Sequence, residues 1–528
     1  MPRSTPVRRA VLLAAAATLA AAAGAQAQRS PLVRVAIPRA TVRLSDSCTT
    51  PLPPLPEIVS SGGVLSARLE MAPATYTIRG RSGQLTTNVY NRGYNAPTLR
   101  VGLGETVRIN VVNNMQAVGG LQPGQVDTTN QHYHGLVVTP IPTPGDNVTH
   151  VVIPWRGGNN LNEYPLLPAI DSVQSQGLMW YHPHPHGSTL PQVAGGLAGA
   201  MVVGDLLSYF PEYRGARERI LVIKTPDSGG SPVLNINQVQ CPRMTIAAGQ
   251  QELLRILNAT GNTFLNLKLD GYTFTVLAFD GNPVVQPIRQ DSLFIPPGGR
   301  AEAIITGGQG DWSANLVAAP SFGGSSTSVK IGELITLGLP AEAPAARESR
   351  ETTALARINP VLADSMRRLA NTADVDTFTL RFRFDGNKNI YLLNDSTYSP
   401  TRLDRAVQVG RVQEWTLVNL DQFRHTFHIH QTDFLITEVN GRRVEQDSVF
   451  FDNVTLGVHK DSSGKTVGDI VKVRFKFHPI AAGPFVYHCH VLSHEDLGMM
   501  ANICVYLPGQ QDTCRRYFPG GGGGHNSH

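Results

Sequence analysis

Apolar and polar residues alternate along short stretches of this chain, and one ten-residue frame occurs three times. Gly104–Asn113 (GETVRINVVN), Gly249–Asn258 (GQQELLRILN) and Gly410–Asn419 (GRVQEWTLVN) each open on glycine and close on asparagine. The fifth and seventh positions after the glycine are apolar in all three: Ile109 and Val111, Leu254 and Ile256, Trp415 and Leu417. A polar residue stands between them, which is the period-two pattern of a strand with one face in a core. Elsewhere the 51 Gly and 37 Pro keep the runs of Val, Ile, Leu and Thr short, as in an all-β chain. Three matching frames at domain-sized intervals predict three copies of one β-sandwich. Counting back from the turns Asp280-Gly281 and Asn440-Gly441 sets His425, His428 and His430 of the third copy opposite Leu265, Lys268 and Asp270 of the second. The middle copy therefore keeps the strand without the imidazoles and reads as a structural spacer.

Three segments depart from this pattern. Residues 1–27 carry Arg3, Arg8 and Arg9, then an apolar run from Val11 to Ala23, then Ala25-Gln26-Ala27. That is a signal peptide with a small-x-small cleavage site, too short in its apolar part to span a bilayer. Export to the periplasm or the medium is expected; Arg8-Arg9 leaves the twin-arginine and general routes both open. Residues 341–374 are rich in Ala, Glu and Arg and read as a linker with one short surface helix around Pro360–Ala370. The glycine-rich end, 519–528, reads as a disordered tail. The sandwiches are expected at 28–208, 209–340 and 375–518.

Charge adds little. The chain's formal +5 falls to +2 once the three leader arginines are removed, so neither nucleic acid nor an anionic membrane is called for. The protein is expected to be a monomer. Five cysteines are present. Four of them, Cys48, Cys241, Cys504 and Cys514, allow three pairings in an exported protein, and the sequence does not choose among them.

The chemistry is concentrated at the histidines. His488-Cys489-His490-Val491-Leu492-Ser493-His494-Glu495-Asp496-Leu497-Gly498-Met499 holds three imidazoles, a thiol and a thioether within twelve residues. A His₂Cys set with a weak axial Met is the signature of blue copper. On a strand Cys489 points one way, and His488 and His490 point the other, so a single strand touches two metal sites. Three more His-x-His pairs stand at His132/His134, His182/His184 and His428/His430. At ~3.3 Å per residue such a pair places two rings on one face about 7 Å apart, suited to neighbouring ions. With His425 and His494, ten of the sixteen histidines are candidates for metal. Thiolate, thioether and imidazole together favour copper over zinc or iron.

On these motifs and their order, the chain resembles the three-domain, laccase-like bacterial multicopper oxidases. The resemblance names the sandwiches cupredoxin domains and implies four copper ions. Type 1 copper would take His425, Cys489, His494 and Met499. Type 2 would take His132 and His428. The type 3 pair would take His134, His182, His184, His430, His488 and His490. The cluster would lie between the first and third domains. A phenolic or similar reductant would be oxidised at type 1 copper, and dioxygen reduced to water at the other three. Oxidation of cuprous, ferrous or manganous ions is the alternative; the chain has only nine methionines, and they form no methionine-rich insertion. Glu495 matches a family acid in proton supply. Asp146, in Pro144-Gly145-Asp146-Asn147, is the candidate for a second acid, with a small insertion relative to the family. His186 and Met500 are expected to pack rather than ligate.

Overall fold

The computed structural model describes residues 48–118, 122–125, 127–167, 174–226, 234–308, 312–321, 328–338, 360–444 and 449–519. The proposed leader, most of the linker and residues 520–528 lie outside the described residues. Three two-sheet sandwiches follow one another along the chain. The first sets a four-stranded sheet, ordered 85–90, 64–76, 106–113, 158–165, against a five-stranded one, ordered 57–59, 98–101, 199–203, 177–182, 132–134. In the second, 235–236, 217–224, 251–258, 300–306, 274–279, 282–290 face 243–247, 329–337, 312–321, 264–269, 293–295. In the third, 390–393, 376–385, 413–419, 470–475, 435–439, 442–443 face 405–408, 500–506, 483–489, 425–429, 453–456.

The repeated frames occupy equivalent places. Each is paired in parallel with an earlier strand and antiparallel with a later one. The opening glycines have φ of +79°, +72° and +78°, a left-handed turn that a Cβ disfavours. The closing asparagines reach out of their own sheets, in the second and third sandwiches to the facing sheet and in the first to a separate two-stranded one. Asn113 donates to Ile153 O, Asn258 to Ile295 O and Asn419 to Leu456 O. Ile109, Val111, Ile256, Trp415 and Leu417 are wholly buried, and Leu254 nearly so. In the middle frame the polar position is buried as well. Arg255 lies 3% exposed, paired with Glu218 and Glu302, and Glu302 accepts from Leu178 N of the first sandwich at 2.8 Å. Both faces of that strand are therefore covered, not one as its alternation suggests.

Six strands and three helices bear on function. They are β1 (His132–His134), β2 (Gly177–His182), β3 (Arg300–Thr306), β4 (His425–Ile429), β5 (Asn453–Leu456) and β6 (Gly483–Cys489), with α1 (Thr189–Gly195), α2 (Pro360–Asn371) and α3 (Leu492–Asp496). In the first sandwich β1 pairs with β2, and in the third β4 lies between β5 and β6. Helix α2 is more than the surface helix expected. It buries Ala363, Met366 and Ala370 against Val285 and Leu435, so it ties the second sandwich to the third. Leu178, Trp180 and Val202 pack on Val222, Leu257 and Leu492, which places side chains of all three sandwiches in one apolar cluster. The cysteines pair as Cys48–Cys241 and Cys504–Cys514, and Cys489 is free and buried. Among the described residues no helix is long and apolar enough to cross a membrane.

Candidate metal centres

Strand alternation on β6 sends Cys489 into the third sandwich and its neighbours outward. Cys489 Sγ lies 3.7 Å from His425 Nδ1 and 3.6 Å from His494 Nδ1, and the two nitrogens are 3.2 Å apart. A metal bound at about 2.0–2.1 Å to nitrogen and about 2.3 Å to sulfur separates trigonal ligand atoms by about 3.5–3.8 Å, so this triangle has the size of a metal site. Met499 is wholly buried beside it. Its amide donates to His494 O and its carbonyl accepts from Cys489 N, both at 3.0 Å. Burial pushes the Cys489 thiol up to about 12, despite amide hydrogen bonds from Thr426 and Val491. A thiolate here therefore needs a cation, and a coordinated metal supplies one.

The flanking residues reach two different groups. His488 joins His184 and His430; His490 joins His134 and His182; a third group combines His132, His134 and His428. In each group the ligand atoms lie within 4.8 Å of one another, and all eight rings are buried. His184 and His488 Nε2 are 3.1 Å apart, and His430 and His488 Nε2 3.3 Å apart. The His-x-His rings sit 5.1–5.7 Å apart between centroids. Half of the imidazoles come from the first sandwich and half from the third.

Most rings have one nitrogen engaged and the other aimed at a neighbour. His132 Nδ1 meets Asp146 at 3.1 Å, and His428 Nδ1 donates to Asp452 O at 2.7 Å. His182 Nδ1 donates to Pro183 O at 2.9 Å, and His134 Nε2 meets Asp452 Oδ1 at 3.2 Å. The opposite atoms, His132 Nε2, His428 Nε2, His182 Nε2 and His134 Nδ1, are buried without a hydrogen bond, as are both nitrogens of His490. Orphaned buried nitrogens are costly, and a second contact that fixes the tautomer is what metal-bound histidine requires. His425 follows the same rule, with Nε2 donating to Asp421 at 2.9 Å. Burial and mutual repulsion hold these imidazoles neutral: His132, His134, His428, His430 and His490 fall well below the usual range, His182 to about 3 and His184 to about 4. Neutral imidazole is the form that binds metal. The residues thus fit copper at both places.

Three models described as multicopper oxidase match residues 71–207, 200–330 and 366–507. The chain belongs to the multicopper oxidase family. Among its relatives is a multicopper oxidase of Staphylococcus haemolyticus, 24% identical over 459 residues, which covers 81% of this chain and 88% of that one. A laccase of Neurospora crassa is 26% identical, covering 76% and 71%. The solved multicopper oxidase of Campylobacter jejuni, described as a metallo-oxidase, superposes with a TM-score of 0.68 at 24% identity, over 87% of this chain and 96% of that one. The three sandwiches are accordingly cupredoxin-like domains.

Around a multicopper oxidase centre the acids matter next. Glu495 is wholly buried on α3, 3.2 Å from His488 Nδ1 and 3.4 Å from His184 Nδ1, and it accepts from Thr189 Oγ1 at 2.9 Å. Burial raises its carboxyl, but His184, His488 and His490 outweigh that and hold it below the usual range. Asp146 meets a different ring, His132, at 3.1 Å. His186 stays outside the groups, its ring 4.7 Å from Tyr398, and Met500 is buried. Two residues escaped the sequence reading: Asp452, which touches His134 and His428, and Arg300 of the middle domain, which grips Asp452. The only local hint was the Pro296-Pro297-Gly298-Gly299 run before Arg300, which marks a tight turn without saying what it faces.

Proposed function

We propose that the protein is a laccase-like oxidase holding four copper ions. In this reading His425, Cys489, His494 and Met499 hold type 1 copper, and His132 and His428 hold type 2. His134, His182 and His490 hold one type 3 ion, and His184, His430 and His488 the other. When bound, the copper accepts electrons singly at type 1 and supplies the four electrons that reduce dioxygen to two waters at the cluster. The observation that carries the reading is the covalent path from Cys489 through the adjoining backbone to His488 and His490, which end in separate imidazole groups. Four protons are consumed per dioxygen. Glu495 lies 3.2 Å from His488 and 3.4 Å from His184, and Asp146 is hydrogen-bonded to His132, where each can hold and pass a proton.

The surroundings of His425 and His494 support an aromatic donor. Tyr391 stacks on His494 with centroids 4.0 Å apart and planes at 17°, and Phe423 lies 5.2 Å from His425. Both aromatics are half-buried; Leu497, whose carbonyl accepts from Tyr391 N, and Leu420, just before Phe423 in sequence, are exposed. A flat phenol finds apolar and π surface there. One observation favours a metal-ion donor instead: the partly exposed Asp421 carboxylate on His425. Export through the leader at 1–27 is part of the proposal.

The test is spectroscopy and oxygen uptake on the copper-loaded protein, with a methoxyphenol, cuprous ion and ferrous ion as donors. A blue protein with fastest uptake on the phenol is expected, and Cys489→Ser is expected to lose both colour and uptake. A colourless copper-loaded wild type would sink the reading; faster turnover of a metal ion would move the substrate to the second reading.

A further inference from the structure

The middle domain supplies no imidazole to the groups among the described residues, yet one of its side chains is built into their wall. Arg300, at the start of β3, is 1% exposed, and its five N–H donors have partners in all three domains. Nη1 and Nη2 bind the two oxygens of Asp452 at 2.8 and 2.7 Å, fork to fork. The remaining donors go to Gly298 O at 3.3 Å, Asp280 O at 2.8 Å and Leu178 O at 3.1 Å. Asp452 then orients two rings from different domains. Its Oδ1 accepts from His134 Nε2, and its main-chain oxygen from His428 Nδ1. The nitrogens this leaves free, His134 Nδ1 and His428 Nε2, belong to the group shared with His132.

We infer that Arg300 is a positioning residue for copper: by locking Asp452, the middle domain builds the site that His132 and His428 share. The inference rests on the copper reading above. Its selectivity follows from the ligand count. The ion at His132 and His428 has only two imidazoles of its own, and Asp452 sets one of them. The ion at His134 keeps His182 and His490 if His134 loosens. The group of His184, His430 and His488 is oriented by Glu495 and by the carbonyl of Cys489. The Cys489 site is oriented by Asp421. A lysine keeps the charge of Arg300 but presents no planar fork, so it cannot hold both carboxylate oxygens and three carbonyls.

The experiment uses the full chain reconstituted with copper, as wild type, Arg300→Lys, Arg300→Gln and Asp452→Asn. The readouts are the blue absorbance per protein, the ratio of type 2 to type 1 signal in the EPR spectrum, and copper retained in a chelator titration. The expected result is an unchanged blue band, a reduced type 2 ratio, and type 2 copper retained about 10- to 100-fold more weakly, the usual scale for losing an orienting contact. Wild-type ratios and chelator resistance in all three variants would overturn the inference. So would parallel loss of blue and type 2 signals in Arg300→Lys and Arg300→Gln, because that assigns Arg300 to general cohesion. A wild type without any type 2 signal would instead sink the copper reading itself, and it is seen before any variant is compared.

Discussion

At the scale of single residues, Asp146 carries the clearest consequence. It is almost wholly buried, with its carboxylate 3.1 Å from His132 Nδ1 and longer contacts, 3.4 Å, from Tyr133 N and Gln431 Nε2. Burial pushes its carboxyl up to about 7, against those hydrogen bonds. A buried carboxyl raised towards neutrality is suited to hold and release a proton. Asp146→Asn keeps the shape and an oxygen for His132. It is expected to slow oxygen uptake by about 100-fold, while a reductant still bleaches the blue band at the wild-type rate without oxygen. Uptake at the wild-type rate would remove Asp146 from proton supply. The twelve proposed ligands were legible in sequence because soft-metal chemistry admits few residue types and strand alternation fixes their sides. Asp146 was reached only through the family resemblance, with a small insertion assumed. Arg300 and Asp452 were not legible at all: they are 152 residues apart, and neither has a local pattern that distinguishes it from a surface charge.

At the scale of elements, the turn before β3 is as constrained as the ligands. Gly298 has φ +77°, and a Cβ there would meet His490 Cε1, Nε2 and Nδ1 at 2.6, 2.7 and 2.8 Å. The turn is thus a floor under an imidazole, and the His490 ring has no hydrogen bond to resist displacement. Gly298→Ala adds left-handed strain, roughly 1–2 kcal/mol, and pushes on the ring. Oxygen uptake is expected to fall at least 10-fold with the blue band retained. If uptake and the EPR spectrum stay as in wild type, the turn is not holding His490. The repeated frames were readable because each strand needs its opening glycine, its two inward apolar side chains and its closing asparagine. What they hid was the burial of Arg255, because alternation reports one covered face and cannot report that a second domain covers the other. Helix α2 was placed by composition, while its packing on Val285 and Leu435 depends on strands far along the chain.

At the scale of the molecule, two kinds of contact hold the domains together, and they answer to different variables. Between the first and second domains, Lys224 is buried, donating to Tyr94 O at 3.0 Å and Gly196 O at 3.1 Å over the Tyr94 ring. Burial lowers its amine from 10.5 to about 7. Below about pH 7 the folded and unfolded chains both carry the charge, and its burial cost is borne in full. Between about 7 and 10.5 the unfolded chain binds the extra proton, so stability rises with pH. Lys224→Met is expected to flatten that rise in urea unfolding between pH 7 and 10; an unaltered slope would assign it to other groups. Between the first and third domains, hydrogen bonds such as Asn147 Nδ2 to Pro484 O and Thr189 N to Asp496 would be joined, in the proposed reading, by the metal. Without it, eight buried imidazoles press together, six of them with an unpaired nitrogen, an arrangement that favours separation. With it, each ion is bound by the folded arrangement and not by the unfolded chain, which stabilises by RT ln(1 + [L]/Kd), about 4 kcal/mol at a thousandfold excess over Kd. Copper removal is therefore expected to lower the melting temperature by several degrees and to make the boundary between the first and third domains the first to exchange its amide hydrogens. Restoring copper is expected to reverse both. Equal melting of the copper-loaded and copper-free protein would mean that the sandwiches are held by their apolar contacts alone, and that the histidines are not what draws the two ends of the chain together.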